Sequence, residues 1–434
     1  MASNPKAPVV PVSPVASVPV VAIGTSWVLQ TTIIGGSTGD RAGDAITMNG
    51  DGTVVAVASP FDDDGNGHDA GTVQVFQTAG AVGAAWQQIG SSLSGLAVND
   101  RFGFSLAMST DGTVLAIGSP FHTPEGTNES DNGLVRVVRF DGTDWVQIGS
   151  DIVGTDEEGL GTAISLSNDG TMLAIGSPGV DGSPDADGNI PRNTGKVQVY
   201  QNQNNEWVPV GNAIEGGQSD QAGIGVALNG DGTVVVMSSA EHNPDGRSAD
   251  TGYIAVYRCV NGGSSWEPVG EKILGESNGD RFGTSVAISE DGSVVSGGAL
   301  ENDGDVNNSG VGSVRVFRNV AGVWAQIGQD LDGEDRADDS GEWMDMSADG
   351  DVVAVGAIGN NAESNASFGH VRVYRNDGAD VWTQVGPDID GIDRLEDFGR
   401  SVKLSRDGSV MMAGAPRADN AGSSSGEVRV FQLI

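Results

Sequence analysis

The residues best suited to chemistry in this 434-residue chain are carboxylates and amides at alternate positions in short, glycine-bent stretches. In Asp62-Asp-Asp64-Gly-Asn66-Gly-His68-Asp69, the oxygens of Asp62, Asp64 and Asn66 stand at the 1, 3, 5 spacing of a cation-wrapping loop. Gly67 supplies the bend and Asp69 follows. Such spacing suits a hard ion of calcium's size, which takes oxygen ligands from a flexible loop. Asp185, Asp187 and Asn189 repeat the pattern, as do Asp303, Asp305 and Asn307. The twelfth position, where a bidentate Glu would complete such a loop, is Val73 in the first stretch. Each stretch therefore expects a further oxygen from elsewhere. Asp, Asn and Gly are also ordinary turn residues, so the same stretches read equally as solvated turns.

Other chemistry is thinly represented. His122 and His242 each follow a GSP-like run by two residues and read as solvated loop histidines. The dyads Asp40-Arg41, Asp100-Arg101 and Asp280-Arg281 read as local ion pairs or contacts between neighbouring units, with recognition of a carboxylate as the alternative. There is no nucleophile elbow, phosphate loop or HExxH, and nothing singles out two carboxylates as a glycosidase pair. A net charge of −37 repels phosphate backbones and anionic membranes, so nucleic acid is a poor partner. Cys259, the one cysteine, has no disulfide partner within the chain. No run is long enough for a membrane-spanning helix. Residues 1–24, rich in Pro and Val and without a basic start, read as an extended tail or linker.

A repeat must position these loops. Trp27, Trp86, Trp145, Trp207, Trp266, Trp324 and Trp382 recur every 58 to 62 residues, in step with Asp-Gly pairs that begin at Asp51, Asp111, Asp169, Asp231, Asp291, Asp349 and Asp407. The clearest unit, Phe102 to Gly149, reads FGFSLAMS, TDGTVLAIGSP, an acidic loop, NGLVRVVRF and DGTDWVQIG. FGFSLAMS alternates Phe102, Phe104, Leu106 and Met108 on one face, and VLAIGS is a short apolar run stopped by Pro120. LVRVVRF and WVQIG flank a D-G-T-D turn as a hairpin. Four antiparallel strands in each of seven units predict an all-β, seven-bladed β-propeller over residues 25–434. The Trp strand at Ser26–Gln30 is expected to complete the last blade, which ends at Glu427–Leu433, and so to close the ring. The recurring tryptophans read as packing between blades.

Phe-Gly at 102, 282 and 398, followed by GSP or GAP at 118–120, 176–178 and 414–416, resembles the FG-GAP repeat of integrin α-subunit propellers and related microbial surface propellers. The integrin pattern implies a calcium loop after the FG strand. Here its Asp-Gly survives, but its first position is Thr47, Ala107, Ser165, Ala227, Ala287, Asp345 or Lys403, so Asp-Gly reads as turn chemistry instead. The resemblance implies a non-enzymatic binding or adhesion module, extracellular or on the cell surface. Its acidic loop face would meet a protein or glycan partner, with calcium stiffening the loops. Two alternatives accompany it: a structural subunit of a larger assembly, and a polysaccharide-active enzyme using the central face.

Overall fold

A computed structural model of the chain describes residues 25–63, 66–80, 83–184, 189–243, 250–303, 310–360 and 367–434. It forms seven antiparallel sheets, one per repeat, arranged as the blades of a closed propeller. Blade two is typical: Ser105–Met108 lies innermost, then Val114–Ser119, Leu134–Phe140 and Trp145–Gln147. In blade seven the outermost strand comes from the other end of the chain. Trp27–Ile34 pairs antiparallel with Glu427–Leu433, running past the segment expected from the sequence through a register shift between Leu29 and Thr31.

Five of the seven second strands are buried along their whole length, as in Val54–Ser59, Val114–Ser119 and Val352–Ala357, and the other two are buried after their first residue. Each is covered by both neighbouring blades, which explains its unbroken run of small and β-branched residues. Clusters such as Val54, Val73, Phe102, Leu106 and Ile117 bridge adjacent sheets, so the core is a ring of inter-blade seams.

The FG pair is not the start of a pleated strand in most blades. Gly103 has φ +95° and the strand begins only at Ser105, so the alternation expected from Phe102 onward is broken. Phe102 plugs the seam, while a Cβ on Gly103 would stand 2.7 Å from that of Ala58 in the preceding blade. Blade five alone continues a strand through its FG, Phe282–Ile288.

Tryptophan does more than pack. Each indole N–H of Trp27, Trp145, Trp207, Trp266, Trp324 and Trp382 donates to a backbone carbonyl of the preceding blade, at Val385, Ile89, Ile148, Val210, Val269 and Ile327 respectively. The glycine closing each WxQIG-type strand lies against the next indole. A Cβ on Gly90 would sit 2.6 Å from Cδ1 of Trp145.

The Asp-Gly turns join first and second strands at one end of the channel. Asp111 accepts the Thr113 amide and hydroxyl and the Ser109 hydroxyl, and Gly112 takes φ +73°. Burial raises the Asp111 pKa, but these donors more than offset it, so the carboxyl sits below its ordinary value. The turns also join one another. The amides of Gly50, Thr110, Asn168, Gly230, Glu290, Ala348 and Arg406 each donate to the carbonyl of the next, and Arg406 returns to Gly50, all at 2.8 or 2.9 Å. Side chains bridge the opening this belt encircles. Arg406 reaches Glu290, Glu290 accepts from Asn168, and the Thr110 hydroxyl joins Asn168 to Arg406.

Candidate functional site: the mouth of the central channel

The opposite face carries the long loops and the blade-to-blade connections. They are zipped together, with the amides of Asn99, Arg101 and Phe102 donating to the carbonyls of His68, Asp69 and Ala70. Each connection folds around one buried carboxylate: Asp40, Asp100, Glu158, Asp220, Asp280, Asp338 or Glu396. Asp100 accepts the amides of Leu96 and Ala97, Asp280 those of Glu276 and Ser277, and Asp338 those of Glu334 and Asp335. At Asp338 burial outweighs these amides and raises the carboxyl above its ordinary value.

The counter-groups differ from blade to blade. Asp100 meets His122 at 3.0 Å, Glu158 meets Lys196 at 2.8 Å, Asp220 meets His242 at 2.8 Å, and Glu396 meets Arg429 at 2.8 Å. His122 and His242 are therefore not solvated loop histidines. His122 is 8% exposed and His242 is half-buried, and each sets a ring nitrogen against the carboxylate of its own blade. The Asp-Arg dyads are also split: the Asp turns inward, while the Arg, held at positive φ (55° at Arg41, 49° at Arg101, 55° at Arg281), turns to the channel mouth.

Two repeat positions line that mouth. One follows the buried carboxylate: Arg41, Arg101, Gly159, Gln221, Arg281, Asp339 and Asp397. The other follows the second strand by two residues: Phe61, Phe121, Gly179, Glu241, Glu301, Gly359 and Arg417. They interleave around the ring. The Arg41 and Arg101 guanidiniums lie 4.4 and 4.8 Å from the Phe61 ring centre, and Arg101 lies 4.6 Å from that of Phe121. Arg281 pairs with Glu241 at 2.6 Å and Glu301 at 3.4 Å, and Arg417 with Asp397 at 3.1 Å. Just inside, Arg400 ties Asp44 (3.5 Å) to Glu342 (3.0 Å) and stacks on Trp343. Trp343 itself begins a regular strand opposite Gly356, so the unusual residue leaves blade six undistorted. Deeper, Lys403 and Asp345, the two outlying positions of the degenerate calcium pattern, face each other across the seam at 3.4 Å.

A groove of about 440 Å3 opens between blades six, seven and one, lined by Arg41, Asp44, Asp339, Asp397, Arg400 and Arg417. Burial, aided by Glu342, Asp338 and Glu301, pushes Asp339 up to about 6. Burial also raises Asp397 against the pull of Arg417, Arg400 and Arg41.

Of the residues expected to hold a cation, Asp64, Asp185, Asp187, Asp305 and Asn307 lie outside the described residues. Asp62 accepts the Thr72 hydroxyl at 2.7 Å, and Asn66 donates to the Gly95 carbonyl at 2.5 Å. Asp303 accepts the Gly310 amide at 3.3 Å, and Asn189 has a polar partner. In the first loop it is Asp63, His68 and Asp69 that bring ligand atoms within 4.8 Å of one another, with Asp63 accepting the Asp69 amide. A second such trio, Glu334, His370 and Asp388, already holds the Arg372 guanidinium between its carboxylates.

The chain is thus a closed seven-bladed β-propeller with one end of its channel bridged and a chemically varied mouth at the other. No family model and no curated protein matches it.

Proposed function

We propose that this protein is a non-enzymatic binding or adhesion propeller of the FG-GAP type, acting outside the cell or at its surface and meeting a glycan or protein partner at the mouth of its channel. One observation carries the reading. Turn carboxylates, seam glycines and indole contacts repeat around the ring, whereas the two mouth positions change from Arg and Phe to Gly, Gln, Glu and Asp. A rigid scaffold presenting a varied rim is how loops usually display function. The bridged far end makes this mouth the open approach to the channel.

The test is binding of the labelled full chain to arrays of glycans and extracellular proteins. A Phe121→Ser, Glu241→Gln double variant is expected to lose binding, while Glu290→Gln at the bridged end keeps it. Undiminished binding by the mouth variant would move the site elsewhere.

A second reading rests on Asp339. A carboxyl held near 6 in a groove shared with Asp44 and Asp397 is what a polysaccharide-cleaving acid requires. Release of reducing ends from a polysaccharide panel, abolished by Asp339→Asn, would establish that reading in place of the first.

A further inference from the structure

The arginines at the mouth fall into two groups. Arg281, Arg400 and Arg417 are each neutralised by a carboxylate within 4 Å. Arg41 and Arg101 are not. Among the described residues neither makes an ion pair, although the chain carries 59 acidic side chains against 22 Lys and Arg. Both instead lie on Phe61, at 4.4 and 4.8 Å from its centre, so the guanidinium carbons are no more than 9.2 Å apart. Arg41 still acts on Asp397 across the groove between blades seven and one, whereas Arg101 has no carboxylate partner among the described residues, and stacking leaves the N–H donors at its guanidinium edge able to fork onto an anion.

The ladder stops abruptly. Phe61 is covered by the Arg of its own blade and by the Arg of the next. Phe121 is covered by Arg101, but the next blade offers Gly159 in place of an arginine. That glycine has φ +61°, close to the 49° of Arg101, so its backbone is the one that elsewhere bears an arginine. A Cβ there would meet only the Thr162 hydroxyl, at 3.5 Å. Phe121, half-buried and braced edge-on by Phe104 at 5.6 Å, therefore has no side chain over it from that position.

We infer that Arg101 and Phe121, beside the Gly159 gap, form a subsite for an acidic sugar unit, the carboxylate forked on Arg101 and the C–H face of the ring lying on Phe121. The inference rests on the binding reading above and names its ligand class. The surrounding acidity disfavours a polyanion and suits a single carboxylate on an otherwise neutral glycan, since local pairing is short-ranged in salt while the net field is repulsive.

The experiment is calorimetric or saturation-transfer titration of the full chain with methyl glucuronide, methyl glucoside and acetate. The uronide is expected to bind at least about tenfold more tightly than either half of its chemistry alone, because losing a charge-assisted hydrogen bond or a stacked face costs about a factor of ten. Arg101→Asn, whose side chain tolerates φ 49°, should lose about tenfold. Gly159→Arg is the decisive variant. It adds positive charge while covering Phe121, so it should weaken uronide binding, whereas general anion attraction would strengthen it. Phe121→Leu tests the same face should the arginine variant fold poorly, and thermal unfolding checks each variant's fold. Uronide binding no tighter than acetate, unchanged affinity in Arg101→Asn, or tighter binding in Gly159→Arg would each overturn the inference. If array binding at the mouth survives such a result, the ligand class alone fails; if both are lost, so is the binding reading.

Discussion

Replacing Asp339 by Asn should stabilise the protein at neutral pH and lose that advantage as pH falls below about 4. In the fold this carboxyl is pushed from 3.8 to about 6, first by burial and then by the charges of Glu342, Asp338 and Glu301. Its folded value lies above its unfolded one, so the ionised form works against folding. That cost is fully present above pH 6 and disappears as pH falls through 6 towards 3.8. At 1.36 kcal/mol per pH unit the full cost is about 3 kcal/mol. Asp339 is only half-buried, so solvent screening reduces this to about 1 to 2 kcal/mol. Asn loses little: it accepts φ 54°, and the hydrogen bonds seen at this residue use its backbone N–H and carbonyl. Urea and thermal unfolding of both proteins across pH 3 to 8 should show Asp339→Asn ahead by about 1 to 2 kcal/mol at pH 7, the gap narrowing through pH 4.5 and closing near pH 3, below the unfolded value of 3.8. Other groups titrate in this range, so the difference between the two proteins is the quantity to read. A gap of equal size at both ends of the pH range, or a variant less stable at both, would refute the reasoning.

Gly103→Ala should cost more than about 3 kcal/mol, since the new Cβ meets Ala58 at 2.7 Å and Val73 at 2.9 Å on a backbone at φ +95°; a thermal midpoint within a degree of wild type would contradict the seam. Trp382→Phe should cost about 1 kcal/mol beyond its packing loss, because Ile327 keeps a carbonyl without its indole donor, and denaturant midpoints will measure it. Asp62→Ala should lower the midpoint equally in millimolar calcium and in chelator, since its carboxylate accepts the Thr72 hydroxyl. A drop seen only with calcium would instead give Asp62 to a cation. Burial raises the Cys259 thiol, so maleimide at pH 7.5 should label it more slowly than the urea-unfolded chain, and equal rates would refute this.

What was legible in the residues was whatever is local. Thr113 and Asp111 make their turn within three positions, and the Val114–Ser119 run announces a strand covered on both sides. Trp27 without a preceding FG segment, and Glu427–Leu433 without a following Trp, are complementary ends, and the ring closes through them. What stayed hidden depends on contacts a full blade apart. Read singly, Asp100-Arg101 is an ion pair. In the fold its Asp belongs to His122 and the amides of its own loop, while its Arg belongs to two aromatic rings from consecutive blades. The buried carboxylates did carry a signal, recurring at 40, 100, 158, 220, 280, 338 and 396, but it is Glu at 158 and 396 and Asp elsewhere, and the partner varies between His, Lys and Arg.

That variability has a physical logic. A buried carboxylate satisfied chiefly by backbone amides needs only one further polar partner, and His122, Lys196 or Arg429 can supply it from different strands and loops. The residue immediately after it is held at positive φ by the same amide bonds, in six blades without being glycine. Its side chain is thereby aimed at the channel mouth whatever its chemistry. The carboxylate fixes direction and leaves identity open, so each blade contributes one oriented, freely chosen group to the rim. Where that choice gives two arginines that make no ion pair within 4 Å among the described residues and then a glycine, the rim departs from the close pairing kept at Arg281, Arg400 and Arg417. The departure falls on the one stretch of the mouth where consecutive blades present aromatic rings.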